Sequence, residues 1–204
     1  MAKLELWYPL KPWHPSQGFG GNAKYYASLG IDGHNGVDVP CKTGTLVRAA
    51  HEGIVTFAGE DGAGGQVLVL RTVDKFDYQG EDVFFKTIYA HLRTGSFKVR
   101  PNQNVKIGDI LAESNNTGFS TGPHLHFGLK PVKQGEQEWA WENVAQTNGY
   151  KGAIDPKPYF VNFYAEHVQT VLSLLQSLYL ALKQAIFTIS GDKSIASSTP
   201  MTKL

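Results

Sequence analysis

The segment Ser120–Leu129, STGPHLHFGL, places two histidines one residue apart, directly after a glycine–proline pair. On a β-strand, residues two apart point to the same face, so His124 and His126 would share one face, and Leu125 and Phe127 the other. One face is therefore suited to packing in a core and the other to chemistry. Taken alone, the pattern fits either a half-exposed strand or a metal site. Partners elsewhere in the chain have to decide between these two interpretations.

Composition and charge restrict the class of protein. A chain of 204 residues is long enough for one well-buried domain with an appendage. The net charge of +1 gives no basic field for nucleic acid and no acidic tail for a basic partner, so we expect no nucleic-acid partner. Cys41 is the single cysteine, which excludes an internal disulfide.

Short runs rich in β-branched and aromatic residues recur before about residue 155, separated by glycine, proline, asparagine or aspartate. This pattern predicts an all-β domain with antiparallel pairing, in which the third and fourth runs form a hairpin. The predicted strands are Gly44–Ala50, Gly53–Ala58, Gln66–Val73, Val83–Ala90 and His124–Leu129.

The pattern changes after Asp155–Pro158. Residues 159–190 contain no glycine or proline, and apolar residues recur three or four apart, which predicts a long amphipathic helix. We expect a domain at 1–158, this helix at 159–190 and a disordered tail at 191–204. A bilayer span is disfavoured because Gln169, Gln176, Lys183 and Gln184 interrupt every window of about 20 residues. The heptad-like row of apolar residues along this helix favours a homo-oligomer or a docking partner over packing on the domain.

Two further groups could complete a metal site with the histidine pair. His34 and Asp38 are four apart in an extended, glycine-rich segment, where an even separation keeps both side chains on one side. Imidazole and carboxylate suit Zn²⁺, and a catalytic zinc site has three protein ligands and one open position. His34, Asp38 and one histidine of the pair give that number. His91 ends an apolar strand, where burying a lone imidazole would be costly.

These blocks resemble a known family. GHNGVD (33–38), YAHL (89–92) and STGPHLHF (120–127) occur in the order seen in the lysostaphin-like (LytM-type) zinc metalloendopeptidases, which cut peptidoglycan peptides. The resemblance covers about residues 16–130 and a closing DPKP at 155–158. It implies a mainly β fold, an antiparallel β-sandwich or open barrel, here followed by a long C-terminal α-helix.

The resemblance also implies roles for individual residues. His34, Asp38 and His126 would be the ligands of one zinc ion, and His91 and His124 would face the metal-bound water and the scissile carbonyl. In some members an upstream tyrosine helps to hold the oxyanion, and Tyr25 and Tyr26 lie in that neighbourhood. The sequence does not choose between these two tyrosines.

The expected activity is therefore zinc-dependent hydrolysis of peptide bonds in peptidoglycan stem peptides or cross-bridges. No HExxH motif supplies a glutamate base, so His91 or His124 would accept the proton of the water. The competing interpretation is a wall-binding or structural module that retains zinc without turnover.

No signal peptide is recognised, so we expect a wall lysin that is phage-encoded, virion-associated or exported by another route. The connections at 74–82 and 131–156 are long, and we expect them to wall a substrate groove over the metal.

Overall fold

The computed structural model describes residues 2–136, 141–161 and 163–192. The chain divides into one compact unit that ends at Val161 and a second that starts at Asn162. In chain order the elements are α1 (Ala23–Ala27), β1 (Val37–Pro40), β2 (Leu46–Arg48), β3 (Gly53–Glu60), β4 (Gln66–Thr72), β5 (Phe76–Tyr78), β6 (Glu81–Leu92), β7 (Asn104–Val105), β8 (Ile110–Glu113), β9 (His124–Gln134), β10 (Trp141–Asn143) and α2 (Phe163–Asp192).

An antiparallel sheet with the order β1-β9-β6-β4-β3-β7 dominates the first unit. β10 extends it beside β9, β5 pairs with β6, and β2 and β8 form a separate two-stranded sheet. Together with the long helix α2, this confirms the predicted fold class, a mainly antiparallel β domain with a C-terminal α-helix. The central position of β9 and β6 gives the histidine-bearing strands a rigid support on both sides.

Alternation of side chains explains why these residues form the sheet. On β9, Leu125, Phe127 and Leu129 are fully buried in the core, whereas His124 and His126 are partly exposed on the opposite face. β6 follows the same rule with Phe85 and other odd-numbered residues. Burying side chains of this size stabilises the fold by about 2 kcal/mol each. All five strands predicted from the sequence are present.

Five further strands were not predicted. β1, β5, β7, β8 and β10 are two to four residues long, which is too short for an alternating pattern to stand out in the sequence. Most of them pair with strands that are distant in sequence, as when Asp38 of β1 lies opposite His126 of β9. Such pairing is decided by tertiary structure and leaves little local signal.

Residues 159–161 belong to the first unit, so α2 begins at Phe163, later than the sequence indicates. The amide of Leu6 donates to the Tyr159 carbonyl at 2.8 Å, and the amide of Val161 donates to the Leu6 carbonyl at 3.0 Å. Phe160 stacks on Tyr8 with ring centroids 4.9 Å apart. These contacts hold the segment against the first unit, with a 3-10 turn at Lys157–Tyr159 followed by an extended Phe160.

α2 is described by itself as a helix of 30 residues. Every described side chain from Leu172 to Ile186 is exposed, including several leucines. The last two residues of α2 fall within the predicted tail at 191–204, and the rest of that tail lies outside the described residues. Among the described residues no helix has the length and hydropathy needed to cross a membrane.

Candidate metal centre and active site

Three side-chain atoms from two separate parts of the chain converge at one point. His34 Nε2 lies 3.1 Å from Asp38 Oδ1 and 3.0 Å from His126 Nδ1, and His126 Nδ1 lies 2.9 Å from Asp38 Oδ1. A tetrahedral zinc ion with bonds of about 2.0–2.1 Å holds its ligand atoms about 3.3 Å apart. The two nitrogens and one oxygen therefore fit a metal of this kind with small outward movements, and these three residues form a group able to hold a metal ion.

The register of two strands sets the distance between Asp38 and His126. Asp38 on β1 lies directly opposite His126 on β9, so both side chains point to the same face of the sheet. Close packing of β1 on β9 requires glycine at position 36, since a Cβ there would lie 2.6 Å from His126 Cε1 and 2.6 Å from the Phe127 carbonyl oxygen. A side chain at this position would push the imidazole away from its partners.

His34 lies just before β1 and is held by the segment that precedes α1. Its amide donates to the Gly21 carbonyl at 3.0 Å, and its carbonyl accepts from the Gly20 amide at 2.8 Å. The ring atom Nδ1 donates to the Gly18 carbonyl at 3.2 Å. Because a carbonyl can only accept, Nδ1 carries the proton, and Nε2 presents its lone pair to Asp38 and His126. The tautomer is thus the one that a metal ligand needs.

The electrostatic state of the centre also suits a cation. Burial alone would raise the pKa of the Asp38 carboxyl, but the neighbouring His126 and His34 outweigh this effect and hold the pKa well below its usual range. Burial lowers the pKa of His126 although Asp38 opposes the shift. An ionised carboxylate and a neutral imidazole are the forms that bind a metal.

His91 reaches the same place through a distortion of β6. Leu68 pairs with Tyr89 and Gln66 pairs with Leu92, so β6 carries one more residue than β4 over this stretch. The extra residue is a β-bulge, and His91 takes a positive φ of 61° within it. Strict alternation would have turned His91 to the core face, beside Tyr89. The bulge instead places its ring 4.5 Å from the ring of His124.

Both of these histidines have a fixed tautomer. His91 Nδ1 donates to the Thr117 carbonyl at 2.7 Å, and His124 Nδ1 donates to the Gly122 carbonyl at 2.8 Å. In each ring Nε2 is then the atom that can accept or deliver a proton, and His124 Nε2 lies 3.6 Å from Asp38 Oδ1. Burial lowers the pKa of His91 to about 4, with the nearby His124 and His126 adding to the shift. The five residues singled out from the sequence therefore meet in one place.

The pocket around these residues has a volume of about 290 Å³. Its walls come from the segment that carries α1 and from the turn before β9. The lining residues are Gln17, Asn22, Tyr25, Tyr26, Leu29, His34, Asp38, His91, Phe119, Ser120, Thr121, His124 and His126.

Two tyrosines of this wall have different environments. The Tyr26 ring lies 5.4 Å from the His34 ring, and its hydroxyl accepts a hydrogen bond from Gln17 Nε2 at 3.2 Å. Burial raises the pKa of Tyr26, so the phenol keeps its proton. Tyr25 is 42 % exposed and lies parallel to Phe119, with centroids 6.5 Å apart. Sequence reasoning missed Gln17 and Phe119, although a phenylalanine within the polar, glycine-containing stretch 115–122 was a signal for the latter.

The connections at 74–82 and 131–156 were predicted to wall a substrate groove over the metal, but none of their described residues lines the pocket around the five site residues. Residues 76–82 form a hairpin at the start of β6, and His91 lies ten residues further on, about 33 Å for an extended strand. No described residue of 131–156 lines the pocket. Part of this second connection instead supports the wall from outside, since the Asp32 amide donates to the Gly149 carbonyl at 2.9 Å.

Comparison with known proteins connects this geometry to a family. The model of Peptidase family M23 matches residues 32–138, a range that contains His34, Asp38, His91, His124 and His126. The chain belongs to peptidase family M23. M23 proteins are metallopeptidases, and a cluster of two histidines and one aspartate beside two further histidines is consistent with that class.

Several M23 relatives show where the similarity lies. The glycyl-glycine endopeptidase ALE-1 of Staphylococcus capitis is 38% identical over 101 residues, which are 48% of this chain and 25% of that protein. The catalytic domain of the antimicrobial peptidase lysostaphin from Staphylococcus simulans has a similar structure, with a TM-score of 0.53 and 29% identity, covering 72% of this chain and 91% of that one. A zinc containing peptidase from Vibrio cholerae gives a TM-score of 0.51 and 26% identity, covering 67% of this chain and 37% of that one. This M23 chain spans about a fifth to a quarter of the length of the curated relatives it matches.

Proposed function

We propose that this protein is a zinc-dependent endopeptidase that hydrolyses peptide bonds in peptidoglycan, in stem peptides or cross-bridges, and that it acts at the cell wall. The observation that carries the proposal is the convergence of His34 Nε2, Asp38 Oδ1 and His126 Nδ1 beside the Nε2 atoms of two further histidines in one pocket. Membership in a metallopeptidase family supports the reaction class.

Zinc is the metal that the donor set fits best. Two imidazole nitrogens and one carboxylate oxygen are the ligand types of catalytic zinc sites, and three protein ligands leave the fourth position open. Bound there, zinc would supply a Lewis acid that polarises the substrate carbonyl and acidifies water. The similar protein from Vibrio cholerae is a zinc containing peptidase, which supports this choice of metal.

His91 and His124 would move the protons of the reaction. Each ring has Nδ1 committed to a backbone carbonyl, so Nε2 faces the pocket with a lone pair in the neutral form. One Nε2 would accept a proton from the attacking water, and the other would hydrogen-bond the developing oxyanion or protonate the leaving amine. Their rings are 4.5 Å apart, which allows both to reach one tetrahedral centre.

Tyr26 is the better candidate for an additional oxyanion donor. Its hydroxyl accepts from Gln17, which leaves the phenolic hydrogen free to donate to a substrate oxygen. Tyr25 instead lies on the rim beside Phe119. We propose that Tyr26 donates to the oxyanion and that the Tyr25–Phe119 pair contacts the substrate chain next to it.

The substrate class is inferred from relatives together with the pocket. One relative is named a glycyl-glycine endopeptidase and another a DD-carboxypeptidase/endopeptidase. The pocket is lined by backbone turns and aromatic rings and by few aliphatic side chains, which suits a peptide with small side chains.

A direct test uses the purified chain and isolated peptidoglycan. Zinc-loaded protein is expected to release soluble fragments with new amino termini, identified by mass spectrometry of the digest. Treatment with a chelator is expected to abolish the release, and added Zn²⁺ to restore it where Mg²⁺ does not. A protein that binds zinc and the wall preparation but opens no peptide bond would be a wall-binding module, and the proposal would be wrong.

A further inference from the structure

Three positively charged side chains stand side by side across the central sheet. Arg71 on β4 lies opposite Lys86 on β6, and Lys86 lies opposite Lys130 on β9. Directly opposite residues of antiparallel strands point to the same face, so the row Arg71–Lys86–Lys130 presents three cations within two strand spacings, about 10 Å.

This cationic row is on the same face of the sheet as the metal centre. His126 and Lys130 are four residues apart on β9, and their partners Ala90 and Lys86 are four apart on β6, with no irregularity between them. An even separation keeps side chains on one face and corresponds to about 13 Å. The intervening pair on this face is Gly128 of β9 and Ile88 of β6, so only the Ile88 side chain of these two strands stands between the two sites.

The cations lack the partners that surface lysines usually find. Within residues 2–136 and 141–161, Lys133 of β9 pairs with Glu81 at 2.7 Å, but no carboxylate forms an ion pair with a member of the row. The buried Arg71 Nε has no hydrogen-bond partner among these residues. Burial and the neighbouring Arg71 and Lys130 lower the pKa of Lys86, and burial and Lys151 lower that of Lys130, which Asp61 partly offsets.

Aromatic rings fix the position of the row. The Arg71 guanidinium carbon lies 4.2 Å from the centroid of Trp141 and 4.8 Å from that of Phe84. Lys86 Nζ lies 5.8 Å from the Trp141 ring. Contacts between cations and rings hold the guanidinium in place without neutralising its charge. The result is a preorganised positive site with an apolar wall.

We propose that the row Arg71–Lys86–Lys130 is a substrate subsite that binds a carboxylate about four extended residues from the bond that is cleaved. The proposal rests on the proposed function, since peptidoglycan stem peptides carry free carboxylates on side chains and at their ends. Held cations without an acidic partner favour such a group, because a hydrogen bond between two charged groups is stronger than one between neutral groups. The subsite would select acidic over amidated peptides and would fix the register of the chain over the metal.

The test compares peptide pairs that the wild-type protein is first shown to cleave. The members of each pair differ only in a carboxylate or a carboxamide at the fourth residue from the cleaved bond, with one pair for each side of that bond. For one pair, wild type is expected to cleave the acid with a kcat/KM about tenfold higher than the amide. Lys130→Gln is expected to remove this preference and leave the rate on the amide unchanged. The matched control Lys133→Gln, on the same strand, is expected to keep it.

A binding measurement separates this proposal from the proposed function. Calorimetric titration of metal-free protein with the acidic peptide is expected to give a Kd about tenfold lower than with the amide, again dependent on Lys130 and not on Lys133. Binding without cleavage would leave the subsite standing and overturn the endopeptidase. The subsite would be overturned if wild type cleaved the acid and the amide of both pairs equally well. It would also be overturned if Lys130→Gln lowered kcat/KM equally for the acid and the amide. If Lys130→Gln weakened the binding of inorganic phosphate but not that of the acidic peptide, the row would not be a carboxylate site.

Discussion

His126 Nδ1 lies 2.9 Å from Asp38 Oδ1, although the two residues are 88 positions apart in the chain. They meet because β1 and β9 pair in a register that sets Asp38 opposite His126. Neither strand could shift by one residue without turning its functional side chain into the core. The sheet register is therefore the feature on which the candidate metal centre depends.

We expect Asp38→Ala to lose stoichiometric zinc and activity together. The change removes one of three ligand atoms and the charge that balances the cation. Zinc content after dialysis, measured by elemental analysis, checks this. Asp82→Ala, at the far end of β6, is the matched control and should keep one zinc per chain. Retention of full zinc by Asp38→Ala would refute the ligand assignment.

His91→Ala and His124→Ala are expected to keep zinc and to lower kcat by about 10²–10⁴-fold, the usual contribution of a general acid or base. Neither imidazole is one of the three converging ligands, and both face the pocket through Nε2. His14→Ala changes an exposed histidine and should leave kcat unchanged. Hydrolysis close to wild type in either site variant would exclude that histidine from the mechanism.

Tyr26→Phe should lower kcat by about 10²-fold with little effect on zinc content, because removal of one oxyanion donor has an effect of that size. Tyr25→Phe deletes the same hydroxyl from the neighbouring residue on the rim and provides the control. We expect it to retain kcat, since the ring next to Phe119 is preserved. Equal losses in the two variants would argue against a specific role for the Tyr26 hydroxyl.

A buried histidine outside the site should limit stability in acid. His51 Nδ1 donates to the Glu52 carbonyl at 2.7 Å, and Nε2 lies 2.9 Å from the Thr87 hydroxyl. Burial lowers the pKa of His51 from 6.5 to about 4. Between these values the unfolded chain binds more protons than the folded one, so stability present above pH 6.5 is lost as the pH falls towards 4. The loss amounts to about 3 kcal/mol.

Urea unfolding at pH 7.5 and pH 4.5 measures this effect. His51→Asn can keep the bond to the Glu52 carbonyl but does not titrate, so its free energy of unfolding should depend less on pH than that of wild type. Other histidines titrate equally in both proteins and cancel in the comparison. The same pH dependence in wild type and His51→Asn would show that His51 is not responsible.

The C-terminal helix is expected to serve assembly and not the reaction. All buried apolar side chains among the described residues lie before α2, so a chain ending at Val161 should fold, bind zinc and keep kcat. Exposed leucines on α2 favour association of the full chain. Light scattering should give a multiple of the monomer mass for the full chain and the monomer mass for the shorter one. A monomeric full-length protein would contradict self-association through α2.

The sequence by itself determined the main strands and singled out the candidate site residues. Alternation in β9 is a local property, so burial of Leu125 and Phe127 and the shared face of His124 and His126 follow from the order of residues alone. The three blocks that contain His34, His91 and His126 were likewise recognised before any geometry, through their resemblance to the lysostaphin-like metalloendopeptidases.

Tertiary structure alone decided how these residues meet and what surrounds them. The bulge that turns His91 towards His124 arises from a mismatch between β6 and β4, which depends on pairing partners and not on the YAHL segment itself. The choice of Tyr26 over Tyr25 depends on Gln17, and the walls of the pocket come from residues near α1 and Phe119 and not from the two longest connections. Contacts between segments distant in the chain leave no periodic signal, so only the folded arrangement could supply them.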